Sequence, residues 1–363
     1  MITTTIFPGR YIQGSGAIQR LTKLIPRYGT KGFLICSPSS FDTVLPPLKV
    51  ALEDAVPVVA EQFGRECLDE EIDRLSDLAR GAGCDVVVGI DGGKTLDTAK
   101  AVAHGLECPV IVVPTIASTD APCSALSVIY KETGRIKRVL VLRRNPDVVL
   151  VDTDIIARSL VRLLVAGMGD ALATWFEAES CMIKHARNMA GGTGSTAVFT
   201  LARLCYDLLL EHGASARLAC EAKVVTPALE HVTEANILLS GLGFESGGLA
   251  TAHAIHDGLT TLEQCHGYYH GEKVAFGVLT SLFLTDKPSE TIDEVYSFCE
   301  SVGLPTTFAD IGLDSVSDDD LIKVANVACG AKETIHNELA PVTPEMVVAS
   351  MKVANAEGVR RKG

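Results

Sequence analysis

The stretch Val86-Val87-Val88-Gly89-Ile90-Asp91-Gly92-Gly93-Lys94-Thr95-Leu96-Asp97 joins an apolar run to two glycines and then to a helical pattern. A continuous rather than alternating apolar run predicts a strand covered on both faces, as in a parallel sheet. Glycines let backbone amides approach a phosphate, and a helix N-terminus adds partial positive charge. The segment alone fits equally well an anion-binding turn, with Lys94 in reach of the ligand, and a turn whose glycines only satisfy backbone geometry.

Other short apolar runs in the first half have the same character. Helical spacing at residues 69–81 and 94–104 separates some of them. The predicted strands are residues 32–36, 56–59, 85–90, 109–113 and 148–151. This alternation predicts a parallel, Rossmann-like sheet with helices on both faces. Residues 124–130 and 138–142 predict a β-hairpin appended to that sheet.

The second half changes character after about residue 154, where Ala, Leu and Glu dominate and apolar residues recur at helical spacing. The predicted helices are residues 171–180, 197–211, 214–226, 239–256, 273–285, 319–329 and 343–356. This pattern predicts an all-helical domain at residues 158–363, following an α/β domain at residues 1–157. A cleft is expected between the two.

Composition excludes several classes of protein. The net charge of −13, from 32 basic and 45 acidic residues, argues against a nucleic-acid partner. No apolar run is long enough to predict a membrane span. The 11 cysteines include no C-x-x-C spacing, which indicates free thiols in a reducing compartment. Residues 1–10 lack the pattern of a secretion signal. A cytoplasmic protein is therefore expected.

Residues 113–124 follow a predicted strand and are rich in hydroxyls, which places them where open α/β sheets bind ligands. Asp120 lies among small residues in this segment and could accept a hydrogen bond from a substrate hydroxyl. A helix-capping loop uses Ser, Thr and Asp in the same way. Capping is the favoured interpretation when this segment is considered alone.

The helical half contains a concentration of metal-ligating residue types. Four of the nine histidines, His253, His256, His266 and His270, fall within eighteen positions. Asp170 adds a carboxylate at a predicted start of a small, apolar helix. Imidazoles and a carboxylate from separate helices can close on one divalent metal ion and leave a position for substrate. Any one of these histidines is better interpreted as a cap or core residue, but the cluster with Asp170 favours metal binding.

Four stretches of the chain resemble the bacterial glycerol dehydrogenases, a group within the iron-containing alcohol dehydrogenase superfamily. These stretches are residues 92–100, 114–130, 169–175 and 246–277. The similarity extends from residues 11–14 to residues 333–337, nearly the whole chain. It implies the fold shared with dehydroquinate synthase and an enzyme that oxidises a small polyol, with glycerol first among the candidates. It also implies a homo-oligomer.

The resemblance implies a zinc ion held by Asp170, His253 and His270, with the polyol facing Asp120 beside the metal. These four residues form the expected catalytic and substrate-binding set. Iron-using members carry a further histidine at the position of Thr174, so this chain fits zinc better. The resemblance also implies contacts to the nicotinamide cofactor from Gly92, Gly93, Lys94, Thr115, Ser118, Ser124, Leu126 and Tyr130.

Two residues depart from the family pattern, and both concern the cofactor. Ser37 stands where an aspartate commonly holds the adenosine ribose, so NAD is expected but NADP stays open. Asp91 stands where glycine is usual, and its charge beside a pyrophosphate should weaken binding unless the side chain points away.

His256 is either a proton relay or, as the favoured interpretation, a structural residue. Another 1,2-diol or hydroxy-acid dehydrogenase, or a non-catalytic metal- or nucleotide-binding relative, remains a rival interpretation.

Overall fold

The computed structural model describes residues 2–363 and contains an α/β half followed by a helical half. In chain order the first half comprises β1 (Tyr11–Gly14), α1 (Leu21–Tyr28), β2 (Gly32–Cys36), α2 (Pro38–Thr43), α3 (Leu45–Glu53), β3 (Val58–Gln62), α4 (Asp69–Gly81), β4 (Val86–Asp91), α5 (Gly93–Leu106), β5 (Val110–Pro114), β6 (Leu126–Tyr130), β7 (Ile136–Val141) and β8 (Val148–Asp152). The fold class predicted from the sequence is confirmed.

Six strands form one parallel sheet in the order β1-β8-β5-β4-β2-β3. Every residue of β2, β5 and β8 is buried, because helices cover both faces. The chain winds outward from β2 to β3 and then continues with β4 on the other side of β2. Ligands of open α/β sheets bind outside the carboxyl ends of the strands at such a reversal. The expected cofactor site therefore lies at the ends of β2 and β4.

The sequence missed β1, and the prediction for the hairpin was only partly right. β1 is an edge strand with half-buried side chains, so it lacks the apolar run that marks the others. The hairpin exists, but β6 and β7 form a separate two-stranded sheet rather than an extension of the main one. Contacts with α5 hold it instead: the Val128 amide donates to Asp97 Oδ2 at 2.9 Å, and the Ser127 hydroxyl donates to the Asp97 carbonyl.

The second half is helical. It comprises α6 (Thr153–Ala157), α7 (Val161–Lys184), α8 (Thr196–Glu221), α9 (Pro227–Glu234), α10 (Ser240–Gly247), α11 (Thr251–Leu259), α12 (His270–Leu284), α13 (Ser289–Val302), α14 (Asp318–Ala328) and α15 (Pro344–Lys362). One cluster of buried side chains runs through both halves, from Val112 of β5 to Leu164 of α7. The division into domains at residues 157 and 158 stays a prediction.

Three predictions about the helices were wrong. The two helices predicted at 197–211 and 214–226 are the single helix α8, in which Gly213 makes room for Phe298 rather than ending the helix. The helix predicted at 239–256 is broken, because Gly248 has φ of +120° between α10 and α11. Asp170 lies inside α7 and not at a helix start, since α7 begins at Val161.

All eleven cysteines carry free thiols, and eight of them are buried. Within residues 2–363, the helices include none with the length and apolar character that crossing a lipid bilayer requires.

Candidate metal and dinucleotide site

Close packing of α7 against α12 brings Asp170 and His270 together. A side chain on Gly169 would place its Cβ 2.3 Å from the Gly271 carbonyl oxygen. A side chain on Gly271 would come within 1.8 Å of the Ala166 carbonyl oxygen. The two helices therefore approach at backbone distance only because both positions are glycine. This approach holds the Asp170 carboxylate, 1% exposed, against the first residue of α12.

The predicted metal ligands converge. Asp170 Oδ1 lies 3.1 Å from His270 Nε2 and 3.4 Å from His253 Nε2. One ligand atom from each of these residues lies within 4.8 Å of the other two. Burial by itself raises the pKa of Asp170, but the imidazoles of His270 and His253 outweigh it and lower that pKa below its usual range. An ionised carboxylate with two imidazoles is a ligand set suited to a divalent ion such as Zn²⁺.

A second carboxylate orients His253. Glu177 lies two turns after Asp170 on α7 and is 1% exposed. Its Oε2 accepts a hydrogen bond from His253 Nδ1 at 2.6 Å, and its Oε1 accepts one from the His253 backbone amide at 3.0 Å. Because a carboxylate only accepts, Nδ1 must carry a proton, which leaves Nε2 as the nitrogen that would bind a metal ion beside Asp170. Such partners fix both the tautomer and the orientation of a ligand histidine.

His270 is oriented in the same way, but through another imidazole. Asp257 Oδ1 lies 3.0 Å from His256 Nδ1, and His256 Nε2 lies 2.9 Å from His270 Nδ1. Burial lowers the pKa of His256 to about 3, so this imidazole is neutral, donates to Asp257 and accepts from His270. His270 Nε2 is then the nitrogen that would bind a metal ion beside Asp170. This contact supports the structural interpretation of His256 over a proton relay.

Asp120 lies beside the three candidate metal ligands, which is the position that the family resemblance implies and not the capping role favoured for its segment alone. Its backbone amide donates to Asp170 Oδ2 at 3.3 Å, and the Ser240 hydroxyl donates to its carboxylate at 2.9 Å. Thr174 Oγ1 lies 3.0 Å from Ser240 Oγ and donates to it, because Ser240 already uses its proton on Asp120. Thr174, at the position of the extra histidine in iron-using members, therefore supports Asp120. Burial and the neighbouring Asp170 charge raise the pKa of Asp120 well above its usual value.

The N-terminus of α5 offers room for a phosphate group. Gly92 is its N-cap and supplies no side-chain cap. A Cβ on Gly93 would meet nothing nearer than Thr119 Oγ1 at 3.9 Å, so open space adjoins the first turn of this 14-residue helix. Uncapped amides and the helix dipole favour an anion there. These features fit the pyrophosphate of a dinucleotide.

Two of the other predicted cofactor residues contact this turn: Thr115 Oγ1 donates to Asp91 Oδ1 at 3.1 Å, and the Tyr130 ring faces Lys94. Thr115 and Ser118 lie in the segment that follows β5, and Ser124, Leu126 and Tyr130 lie in or just before β6. They lie on two neighbouring parts of the chain. Lys94 is placed differently from the expectation that its ammonium reaches an anion. Its Nζ pairs with Glu66 Oε1 at 2.6 Å and lies 5.1 Å from the centre of the Tyr130 ring.

Glu177 and Ser240 were missed by the sequence analysis. Glu177 could have been found, because a residue seven positions after Asp170 lies on the same helix face. Ser240 gave no such signal. It follows a π-helical turn at residues 235–239, which changes the register between α9 and α10. In that turn Asn236 Nδ2 donates to the Ala117 carbonyl at 2.9 Å, so the turn and Ser240 hold the same loop.

Comparison with known sequences assigns the chain to a family. The profile described as iron-containing alcohol dehydrogenase matches residues 8–153. Similarity to individual proteins extends over the remainder of the chain. The chain belongs to the iron-containing alcohol dehydrogenase family.

Individual relatives are similar over their whole length. A glycerol dehydrogenase of Thermotoga maritima is 62% identical, and the match covers 100% of this chain and 99% of that protein. A glycerol dehydrogenase of Escherichia coli O6:H1 is 50% identical over 97% of this chain and 96% of its own. The crystal structure of glycerol dehydrogenase from Schizosaccharomyces pombe is 36% identical, has a TM-score of 0.95, and covers 99% of this chain and 92% of its own.

Proposed function

We propose that this chain is a zinc-dependent glycerol dehydrogenase, which oxidises glycerol to dihydroxyacetone and transfers hydride to NAD. The observation that carries the proposal is the convergence of Asp170, His253 and His270 beside Asp120. The choice of glycerol is supported by the 62% identity to the Thermotoga maritima glycerol dehydrogenase.

Each residue of the proposed metal site has a separate role. A bound divalent ion supplies Lewis-acid chemistry, which lowers the pKa of a coordinated hydroxyl. Asp170 and the Nε2 atoms of His253 and His270 bind that ion. Asp120 accepts a hydrogen bond from a substrate hydroxyl and so orients the polyol, while Ser240 holds Asp120 in place.

The cofactor site is built on the turn between β4 and α5. The backbone amides at Gly93 and Lys94 bind the pyrophosphate, and Gly92 forms the turn. The remaining contacts come from the loop after β5 and from the hairpin. These residues are Thr115, Ser118, Ser124, Leu126 and Tyr130.

The activity is tested by measuring NADH formation from glycerol, a 1,2-diol and a 2-hydroxy acid, before and after treatment with a chelator. The expected result is highest turnover with glycerol, loss of turnover in the chelator and recovery with zinc. A clear preference for the diol or the hydroxy acid would instead identify a dehydrogenase of that substrate on the same site. If zinc-loaded protein forms no NADH from any of the three substrates, the chain would be a non-catalytic relative.

The metal ligands are tested by His253→Ala, which should abolish both zinc binding and turnover. His266→Ala is the matched control, because His266 is exposed and lies within the same group of histidines but outside the ligand set. It should retain zinc and activity. Full activity of metal-free His253→Ala protein would refute the proposal.

We also propose that the enzyme is a cytoplasmic homo-oligomer. The free thiols of all eleven cysteines support a reducing compartment. Oligomerisation is supported by family resemblance, and sedimentation of the purified protein tests it.

A further inference from the structure

We propose that Asp91 selects NAD over NADP, by accepting a hydrogen bond from the adenosine ribose and by repelling a 2′-phosphate. It does so in place of a carboxylate at the end of β2, where this chain has Ser37. The inference rests on the proposed dinucleotide-dependent function and adds a residue that determines its cofactor specificity.

The position of Asp91 in the sheet carries the first part of the argument. β2 and β4 are parallel neighbours, and Cys36 lies opposite Ile90. Ser37 and Asp91 are the next residues on the two strands, at the point where the winding of the sheet reverses. In dinucleotide-binding folds, an acidic side chain about 20 residues beyond the phosphate-binding turn accepts a hydrogen bond from the ribose 2′-hydroxyl in NAD enzymes. In this chain the carboxylate belongs to Asp91 at the end of β4. That position is one strand away from Ser37, at the same height along the sheet.

Ser37 is already occupied by a structural contact. Its hydroxyl oxygen accepts a hydrogen bond from the Ser40 amide at 3.2 Å and caps α2. A neutral hydroxyl at this point neither repels a phosphate nor binds two ribose hydroxyls as a carboxylate does. The strand end that normally selects against NADP therefore lacks the charge to do so.

The Asp91 carboxylate is held in a fixed orientation. Oδ1 accepts from the Gly92 amide at 2.7 Å and from Thr115 Oγ1 at 3.1 Å. Oδ2 accepts from Ser40 Oγ at 3.2 Å. Oδ2 therefore has one donor and retains capacity for another, such as a ribose hydroxyl. The residue is half-buried, at the end of β4 where the cofactor is expected. The Gly93 side of the turn stays open, since a Cβ there would meet nothing nearer than Thr119 Oγ1 at 3.9 Å.

The backbone of Asp91 supplies an independent observation. Its φ is +156°, a region that glycine adopts freely and that costs a residue with a side chain of order 1–3 kcal/mol. An acidic side chain is therefore present despite a backbone conformation that favours glycine. Strained residues of this kind cluster at ligand-binding sites. The same observation predicts that Asp91→Gly and Asp91→Asn both fold.

The test is a fluorescence titration of zinc-loaded protein with NADH and with NADPH, which reports binding without turnover. The unaltered protein should bind NADH at least ~10-fold more tightly than NADPH, as expected for one hydrogen bond to a charged group. Asp91→Asn keeps the size of the side chain and removes its charge. The ratio of the NADPH dissociation constant to the NADH dissociation constant should therefore fall about 10-fold. Adding Ser37→Asp to that variant should restore the ratio. Asp42→Asn, an equal charge change at an exposed position of α2, should leave the ratio unchanged.

Two results would overturn the inference in distinguishable ways. An unchanged NADH to NADPH ratio in Asp91→Asn, together with altered thermal stability, would mean that Asp91 only braces the β4–α5 turn. The proposed function would survive that result. Failure of the unaltered protein to bind either nucleotide would overturn the proposed function itself.

Discussion

Glu177 is the residue on which the geometry of the metal site depends most directly after the three ligands. It orients the His253 ring through Nδ1 at 2.6 Å. Glu177→Gln keeps the shape but removes the charge that fixes the tautomer, and we expect a 10- to 100-fold loss of zinc affinity. Competition with a chelator measures this affinity. Glu179→Gln, two positions along α7 and paired with Lys287, is the control and should leave the affinity unchanged.

Ser240 tests whether Asp120 needs its hydrogen bond to orient the substrate. Ser240→Ala removes one hydrogen-bond donor to the Asp120 carboxyl group, a loss of about 0.5–1.5 kcal/mol. We expect kcat/KM for glycerol to fall by up to ~10-fold while NADH binding is preserved. The matched control is Ser281→Ala, because Ser281 is also buried but bonds only within α12, to the Val278 carbonyl. Equal losses in both variants would show that Ser240 has no specific part in the reaction.

The histidines and Asp170 could be assigned from sequence because their residue types are those of a metal site. Their partners could not be assigned in the same way. Asp257 acts on His270 only through His256, and that contact joins α11 to α12 across a break at residues 260–269. Spacing along the chain does not encode such a contact. Ser37 and Asp91 are separated by 54 positions, and only the order of the strands shows that they are neighbours.

At the scale of elements, the buried Lys100 forms an ion pair within α5 and also joins α5 to the segment that carries Asp120. Lys100 Nζ lies 2.9 Å from Asp97 Oδ1 and donates to the Ala121 carbonyl at 2.9 Å, with its side chain 0% exposed. Lys100→Met should lower the free energy of unfolding by about 3–5 kcal/mol, because it leaves the Asp97 charge buried and unpaired. Urea unfolding measures this loss.

The exposed Lys137 provides the control for that ion pair. Lys137→Met should lower the free energy of unfolding far less than Lys100→Met does, since Lys137 and its partner Asp69 are solvated surface groups. Adding Asp97→Asn to Lys100→Met should recover part of the stability. A loss in Lys100→Met no greater than that in Lys137→Met would contradict a structural role for the buried pair.

The stability that the hairpin β6–β7 gains from its contact with α4 should depend on pH. Asp69, at the start of α4, forms ion pairs with Lys137 and Arg138 of β7. Hydrogen bonding from Lys137, followed by the charge of Arg138, lowers the pKa of Asp69 against the opposing effect of burial. A carboxyl whose pKa is lowered by folding stabilises the protein above its ordinary pKa of about 4. That contribution is lost as the pH falls through the lowered value. The Tm difference between the unaltered protein and Asp69→Asn should therefore be present at pH 6 and shrink as the pH falls below about 4; a Tm difference that does not change with pH would exclude the ion pairs.

Periodicity in the sequence predicted the type of most elements correctly, but it predicted their boundaries less accurately. α4 occupies residues 69–81 as predicted, because apolar spacing there is uninterrupted. The region 235–259 defeated the same reasoning, because a π-helical turn and the positive φ of Gly248 interrupt an apolar pattern that looks continuous. Glycine at positions 213 and 169 serves close packing and not helix ends. The sequence alone does not show whether a glycine allows close packing or ends a helix, because that depends on its contacts in the folded protein.

At the scale of the molecule, the parallel sheet and the helical half bring two separate sites together. The carboxyl ends of β4 and β5 lead to the cofactor turn and to Asp120, and α7, α11 and α12 supply the ligands. Glu245 joins the two halves: it is 1% exposed and accepts from the Ala125 amide at 2.6 Å. The proposed hydride transfer requires this junction, because substrate and nicotinamide must meet across it.

An anomalous difference map from crystals of the zinc-loaded protein, recorded at the zinc absorption edge, tests the metal centre most directly. We predict a single peak about 2.0–2.2 Å from the carboxylate of Asp170 and from the Nε2 atoms of His253 and His270. The same preparation must oxidise glycerol. An active preparation with no peak at these residues, or with its only peak elsewhere in the molecule, would contradict the proposed site.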